Sequence, residues 1–284
     1  MTEQSEPAGS GWYVGLDPGS IESGAAAIRD GEADEPRDWP HEAVASGAVA
    51  DEESYYDWLR SATITAAREE ASERERADDQ QLVHMVRAMD DCERVANELA
   101  ERVAEWGGSR FGESGGGVEF AQSVAEREAD DPATERLVGL AEQVVDLHTE
   151  AEELRETIER LAHEVAPNLA AMAGPVLAAR LISLSGGLKS LARSTSGTVQ
   201  VLGAEDALFA HLEGNAPSPK HGIIYTHEYV RGTDPENRGS AARALAGKLT
   251  IAARVDHYSG QRKPELDAEL DDRIATIRSR GGGE

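Results

Sequence analysis

Cysteine is nearly absent from this 284-residue chain. Cys92 stands alone, so no disulfide can close within the chain and no cysteine cluster is available for zinc or an iron–sulfur centre. Aromatic residues are also scarce, 5% against 39% hydrophobic overall, so the folding energy is expected from many small aliphatic contacts, a composition that suits helices better than β-sandwiches. No stretch approaches 18 consecutive apolar residues, which argues against a membrane-crossing helix. The acidic, glycine-containing start lacks the basic-then-apolar layout of a secretory signal. A soluble, cytoplasmic chain with no membrane partner is expected. Lysine is the rarest charged residue, 4 against 24 arginines, while Asp and Glu number 54 and set the net charge at −26. So many carboxylates are typical of a protein kept soluble in concentrated salt, and a halophilic source is expected.

The acidity is unevenly spread. Residues 166–284 hold 13 carboxylates against 14 Lys and Arg, whereas residues 1–165 hold 41 against 14. Within 174–263 cations outnumber carboxylates 11 to 7, and all four lysines fall there. A chain with this overall charge that keeps one basic segment is expected to present it to an anionic partner.

Residues 12–16 (Trp-Tyr-Val-Gly-Leu) and 25–28 (Ala-Ala-Ala-Ile) are short strand candidates, the first closed by Asp17-Pro18-Gly19. Asp51-Glu52-Glu53 opens a helix to about Ser72, completing a small α/β module over residues 1–75. From Ala77 the pattern is helical. Leu82, Met85, Met89, Cys92, Ala96, Leu99 and Val103 step by three and four, as do Leu137, Leu140, Val144, Leu147, Ala151, Leu154, Ile158 and Leu161. Trp106-Gly107-Gly108 is expected to end the first helix and Pro132 to start the second, giving an antiparallel coiled-coil hairpin over 76–165. Its seam is a candidate dimerisation surface through Leu82, Met85, Met89, Leu99, Leu140, Val144, Leu147 and Leu154. Small-residue helices fill 169–192 and 206–212, and a helix from Pro235 to Tyr258 leads to a tail over 263–284 that carries one more helix, from Pro264 to about Arg278. The fold class is mainly α.

Asp17, at the end of a strand candidate, could open an RNase-H-like metal-dependent nuclease, but the later strands that would supply further carboxylates are missing. The eight histidines show no metal-ligand spacing, and no nucleophile elbow, P-loop or dinucleotide fingerprint is present. The chain is expected to be non-catalytic, without metal or cofactor. The basic segment favours recognition. Arg238, Arg243, Lys248 and Arg254 alternate with apolar residues along 236–258, and Lys220-His221 arrive from a Pro/Gly-stiffened loop that can hold both near a phosphate. His221 and Tyr225 are candidates for stacking.

Five stretches in order, 174–182 (Gly-Pro-Val-Leu-Ala-Ala-Arg-Leu-Ile), 185–192 (Ser-Gly-Gly-Leu-Lys-Ser-Leu-Ala), 199–205 (Val-Gln-Val-Leu-Gly-Ala-Glu), 219–225 (Pro-Lys-His-Gly-Ile-Ile-Tyr) and 242–260, resemble the Nop domain, and 86–91 and 99–106 resemble that family's coiled coil. The resemblance covers roughly residues 75–262 strongly and the first 70 weakly. It implies a scaffold of the archaeal box C/D small ribonucleoprotein, which serves ribosome biogenesis. An amino-terminal module (1–75) would hold the methyltransferase fibrillarin, the coiled coil (76–165) would pair two copies, and the Nop domain (166–262) would grip kink-turn guide RNA together with a small ribosomal-protein-like binding protein. The assembly would direct ribose 2′-O-methylation of ribosomal or transfer RNA, with S-adenosylmethionine bound only by the partner enzyme. A spliceosomal-type Nop protein, lacking a methyltransferase partner, is the variant reading. Lys220, His221, Arg238, Arg243 and Lys248 are the RNA-side candidates. Gly203, Ala204, Glu205, His211 and Lys189 are assigned to the RNA–protein groove. Asp206, Ala210 and Ser240 stand where the family commonly has basic residues. Arg254 and Asp256 suit either an internal pair or a contact.

Overall fold

The computed structural model describes residues 11–31 and 36–279, and the chain divides into two compact units, 1–77 and 78–284. The polar leader before Gly11 and the closing glycine run lie outside the described residues. The first unit contains α1 (Ile21–Asp30), α2 (Trp39–Ala45) and α3 (Glu52–Arg76). Neither expected strand forms, and no strand occurs among the described residues. Residues 12–16 close local turns instead, Val14 N–H to Gly11 O at 3.0 Å and Leu16 N–H to Tyr13 O at 3.3 Å, which satisfy a backbone that has no neighbouring strand. Ala25–Ile28 lie inside α1, as alanine's helix preference favours. A Cβ on Gly24 would meet the Trp12 and Trp58 rings and Ala62 at 3.0–3.2 Å, so glycine lets α1 approach α3.

This small core is aromatic, contrary to the expectation from composition. Tyr13, Tyr55 and Trp58 are buried in it, Trp12 Nε1–H donates to Tyr55 Oη at 3.1 Å, and Trp58 Nε1–H donates to Ser20 O at 2.9 Å. Asp17 sits exposed in a turn that accepts from Ser20 N–H, and no group of three metal-ligating side chains exists among the described residues. The nuclease reading therefore loses both its strand and its companion carboxylates.

The second unit opens with a hairpin of α4 (Asp78–Phe111) and α6 (Pro132–Val165), with α5 (Gly117–Ala125) laid over its tip. The helix α4 continues past the expected stop at Trp106–Gly108, because Gly107 faces the Phe120 ring of α5, where a Cβ would lie at 3.0 Å. What the sequence offered as a plain connection thus buries Phe120, Ala121 and Val124 against Ala100, Val103, Leu137, Ala141 and Val144. Asp131 caps α6 by accepting from Ala133 N–H at 2.9 Å and Thr134 Oγ1–H at 2.6 Å, and Arg110 pairs with it across the hairpin. Its hydrogen bond with Thr134 is the main reason its carboxyl is pulled down to about 2.

The two seams face each other, and this corrects the dimerisation assignment. Leu82, Met89 and Val144 are fully buried inside the chain and offer nothing to a second copy. Met85, Leu99, Leu140, Leu147 and Leu154 are half-buried along the flanks.

Among the described residues, eight helices form the carboxy-terminal lobe: α7 (Pro167–Ala173), α8 (Pro175–Ser185), α9 (Leu188–Arg193), α10 (Ser196–Val201), α11 (Glu205–Leu212), α12 (Glu228–Arg231), α13 (Arg238–Tyr258) and α14 (Glu265–Ser279), with a 3₁₀ turn at Ile223–Thr226. The single helical stretch expected over 169–192 is cut at Gly174 and at Gly186-Gly187, all three with positive φ. The helix α13 is the axis of the lobe. It packs against α7, α9, α10, α12 and α14 and buries Ala241, Ala242, Leu245, Ala246, Leu249, Ala252 and Ala253. Small side chains on so many sides explain how an aromatic-poor sequence fills this core.

Residues expected to be a tail belong to that core, since Leu266, Leu270, Ile274 and Ile277 of α14 are buried in it. The core is continuous with the base of the hairpin through Leu82, Val86 and Ile158. No single helix among the described residues is long and apolar enough to cross a membrane.

Candidate nucleic-acid interface

The loop from Glu213 to Gly222 returns alongside the end of α10. Gly222 N–H donates to Gln200 O at 2.8 Å, Ile223 N–H to Leu202 O at 2.7 Å, and Gln200 Nε2–H to Lys220 O at 2.7 Å. A Cβ on Gly222 would stand 2.0 Å from Leu202 O, so only glycine permits this approach. The pinned backbone delivers Lys220 and His221 beside the start of α13. His221 stacks on Tyr225 with ring centroids 4.6 Å apart and planes at 23°, and the Arg238 guanidinium lies 5.7 Å from the Tyr225 ring centre. Arg238 is held by its Nε–H, which donates to Thr233 O at 3.0 Å. Lys220 runs past Gly239, where a Cβ would lie 3.8 Å from its Cδ. Burial lowers the His221 pKa, and the charges of Arg238 and Lys220 push it the same way. The arrangement is a flat aromatic pair flanked by two cations, suited to phosphate and base stacking.

The structure does not bring the other expected RNA-side residues into this cluster. Five residues along a helix rotate Arg243 about 140° from Arg238, and Arg243 is exposed without a hydrogen-bond or ion-pair partner among the described residues. Lys248 pairs with Glu269 of α14, which neutralises it. The cationic side expected on this helix is therefore largely taken up internally. Arg254 donates to Ala192 O at 3.0 Å and Ser194 O at 3.2 Å. Asp256 accepts from the N–H groups of Asn168 and Leu169 at 3.0 and 2.8 Å. Both are structural, through separate partners and not as a pair.

In the expected groove, Gly203 adopts φ 81° and its N–H donates to Glu205 Oε1 at 2.8 Å, so the glutamate holds the turn that launches α11. Ala204 is the residue preceding α11. A Cβ on Gly203 would touch Ile223 and Leu184 at 3.3–3.4 Å, which makes this corner a close-packed step between loop and helix. His211 Nδ1 lies 3.0 Å from Ala216 O and ties α11 to the following loop. Lys189 is exposed on α9, and no described hydrogen bond or ion pair joins it to this step.

Sequence reasoning missed the apolar part of the surface. No residue of α11 is buried; Phe209 is 63% exposed and Leu212 72%, and Leu184 beside the Gly203 step is 46% exposed. The signal was present in Glu205–Leu212, where a helix of eight residues carries apolar side chains on all sides and cannot bury them against one neighbour.

The family described as Nop, snoRNA binding domain, fibrillarin, matches residues 116–277, more than half of the chain. An uncharacterized NOP5 family protein of Methanocaldococcus jannaschii is 35% identical over 237 residues, covering 70% of this chain and 57% of that protein. Nucleolar protein 58 of Schizosaccharomyces pombe is 30% identical over 245 residues, covering 72% and 48%. The chain thus spans about half the length of the curated relatives it matches. A chain from the crystal structure of a fibrillarin/Nop5p complex superposes with a TM-score of 0.52 at 24% identity, covering 90% of this chain and 92% of that one, a likeness of fold. With the hairpin, the helical lobe and the His221 loop all falling inside or against the matched region, the chain belongs to the Nop family.

Proposed function

We propose that the chain is a non-enzymatic scaffold of the box C/D guide ribonucleoprotein, joining kink-turn RNA and its small ribosomal-protein-like binding protein to fibrillarin for guide-directed ribose 2′-O-methylation. The observation that carries this reading is that one loop, tied to α11 through His211 and to α10 through Gly222 and Lys220, joins two unlike surfaces: the cationic, stacked Lys220–His221–Tyr225–Arg238 cluster and the exposed apolar side chains of α11. The first suits RNA and the second suits protein, as recognition of a composite requires. In concentrated salt the Debye length falls to about 3 Å, so long-range attraction contributes little and close fit must supply the affinity.

Fibrillarin is assigned to the first unit, where Val14, Ile21, Tyr56 and Ile64 are exposed apolar side chains. Pairing of two copies is assigned to the half-buried flanks of the hairpin, around Met85, Leu99, Leu140, Leu147 and Leu154. S-adenosylmethionine belongs to the partner enzyme. The test is reconstitution in high salt of the full chain with kink-turn RNA, its binding protein and fibrillarin, followed by gel filtration. Co-elution of all four supports the reading. A folded chain that joins neither RNA nor protein rejects it, and RNA–protein assembly without fibrillarin favours the spliceosomal-type variant.

A further inference from the structure

A cavity of about 310 Å³ opens between α4, α8 and the 3₁₀ turn, with Val86, Arg87, Asp90, Arg180, Leu184 and Ile223 among its walls. Two of those walls belong to the interface already described, since Leu184 and Ile223 are the side chains that press on Gly203. The cavity therefore continues the α11 surface onto the base of the hairpin. Its hydrogen bonding is incomplete. Arg180 pairs through Nη2 with Asp90 at 2.6 Å, but its Nε–H is buried with no acceptor, an arrangement native structures rarely leave unmet. Arg87 is exposed at the rim and has no carboxylate partner among the described residues.

We propose that this cavity receives an apolar side chain of the RNA-bound small protein, the same partner that α11 takes, and that a carboxylate beside that side chain pairs with Arg87. The inference rests on the reading of α11 as a protein-docking face. Protein fits better than RNA here because three walls are aliphatic, and because the Asp90 carboxylate, with Glu93 3.9 Å from Arg180, would repel a phosphate. An aliphatic pocket rimmed by a free guanidinium selects instead for an apolar anchor next to an acidic residue.

The experiment uses the full chain and a preformed complex of kink-turn RNA with its binding protein. A benzophenone photocrosslinker installed at position 184 is expected to capture that protein and not the RNA. Leu184→Glu and Arg87→Glu are each expected to weaken binding of the preformed complex at least tenfold and to leave binding of RNA alone unchanged. Both sites are exposed, and circular dichroism verifies that the fold is kept. Crosslinking to RNA, or wild-type affinity in both variants while Phe209→Asp abolishes binding, overturns the pocket assignment alone. Wild-type affinity in Phe209→Asp overturns the α11 reading itself and the pocket assignment with it.

Discussion

Replacing Asp256 with alanine removes the acceptor shared by the first two amides of α7 and by Asn168 Nδ2–H, which it receives at 3.0, 2.8 and 2.6 Å in a site where the aspartate is only 7% exposed. The carboxylate acts as an N-terminal cap supplied from 88 residues away, and so clamps the hairpin-to-lobe junction onto α13. Asn168 Nδ2–H keeps a second acceptor in Gln261 O at 2.8 Å, so the loss falls chiefly on the two backbone donors. At about 1.5–3 kcal/mol for each hydrogen bond to a charged group, less what water recovers on entering the vacated space, Asp256→Ala is expected to cost about 3–5 kcal/mol. With a urea slope of about 1–3 kcal/mol per molar, the unfolding midpoint followed by far-ultraviolet circular dichroism should fall by roughly 1 M or more. Hydrogen exchange gives the local readout, because the Asn168 and Leu169 amides should lose protection before the rest of the lobe. Asp272→Ala, at an exposed position on α14, serves as the control and should stay within about 0.5 kcal/mol of wild type. An Asp256→Ala chain as stable as that control, with Asn168 and Leu169 still protected, would show that the carboxylate does not hold the junction.

Other outcomes follow from the same structure. Gly222→Ala should detach the loop from α10, since its Cβ would collide with Leu202 O, and RNA-complex binding should fall at least tenfold with the helix content unchanged. His221 should titrate below the ordinary 6.5 by NMR, and Arg238→Gln should move it upward. A depressed histidine pKa means that its contribution to stability is present above pH 6.5 and declines as the pH falls through that value toward the folded-state pKa. Tyr229, pushed up to about 12 first by its hydrogen bond to Asp271, should be absent from the ultraviolet titration until near pH 12. Tyr229→Phe should remove that step, and the stability it gives should decline between pH 10 and about 12.

Much of the helical architecture was legible because period and punctuation agreed. The three-and-four spacing located α4 and α6, Pro132 marked the start of α6, and Gly260 followed α13. The failures share a physical cause, which is dependence on a distant neighbour. Gly107 looked like a stop until Phe120 of α5 supplied the reason for a bare backbone. Residues 12–16 read as a strand on β-propensity, yet a strand exists only with a partner to bond, and none occurs among the described residues. The seam periodicity was correct but could not say whether its partner was the other arm or another molecule. At the candidate interface, the pinned loop that carries Lys220 and His221 was readable from its Pro and Gly residues. Arg243 and Lys248 could not be told apart, because basic residues on a helix look alike whether they face solvent, as Arg243 does, or a neighbouring helix, as with Lys248 and Glu269. The exposed α11 side chains went unnoticed because apolar residues in sequence are presumed buried.

On the proposed function, this lobe recognises RNA and protein as one composite surface. The most direct measurement is the affinity of the full chain, in molar potassium chloride, for three ligands: kink-turn RNA alone, its binding protein alone, and the two preassembled. Binding to the assembled pair is expected to be at least 100-fold tighter than to either component, with the gain abolished by Lys220→Glu combined with Arg238→Glu. Equal affinity for bare RNA and for the assembled pair would contradict it.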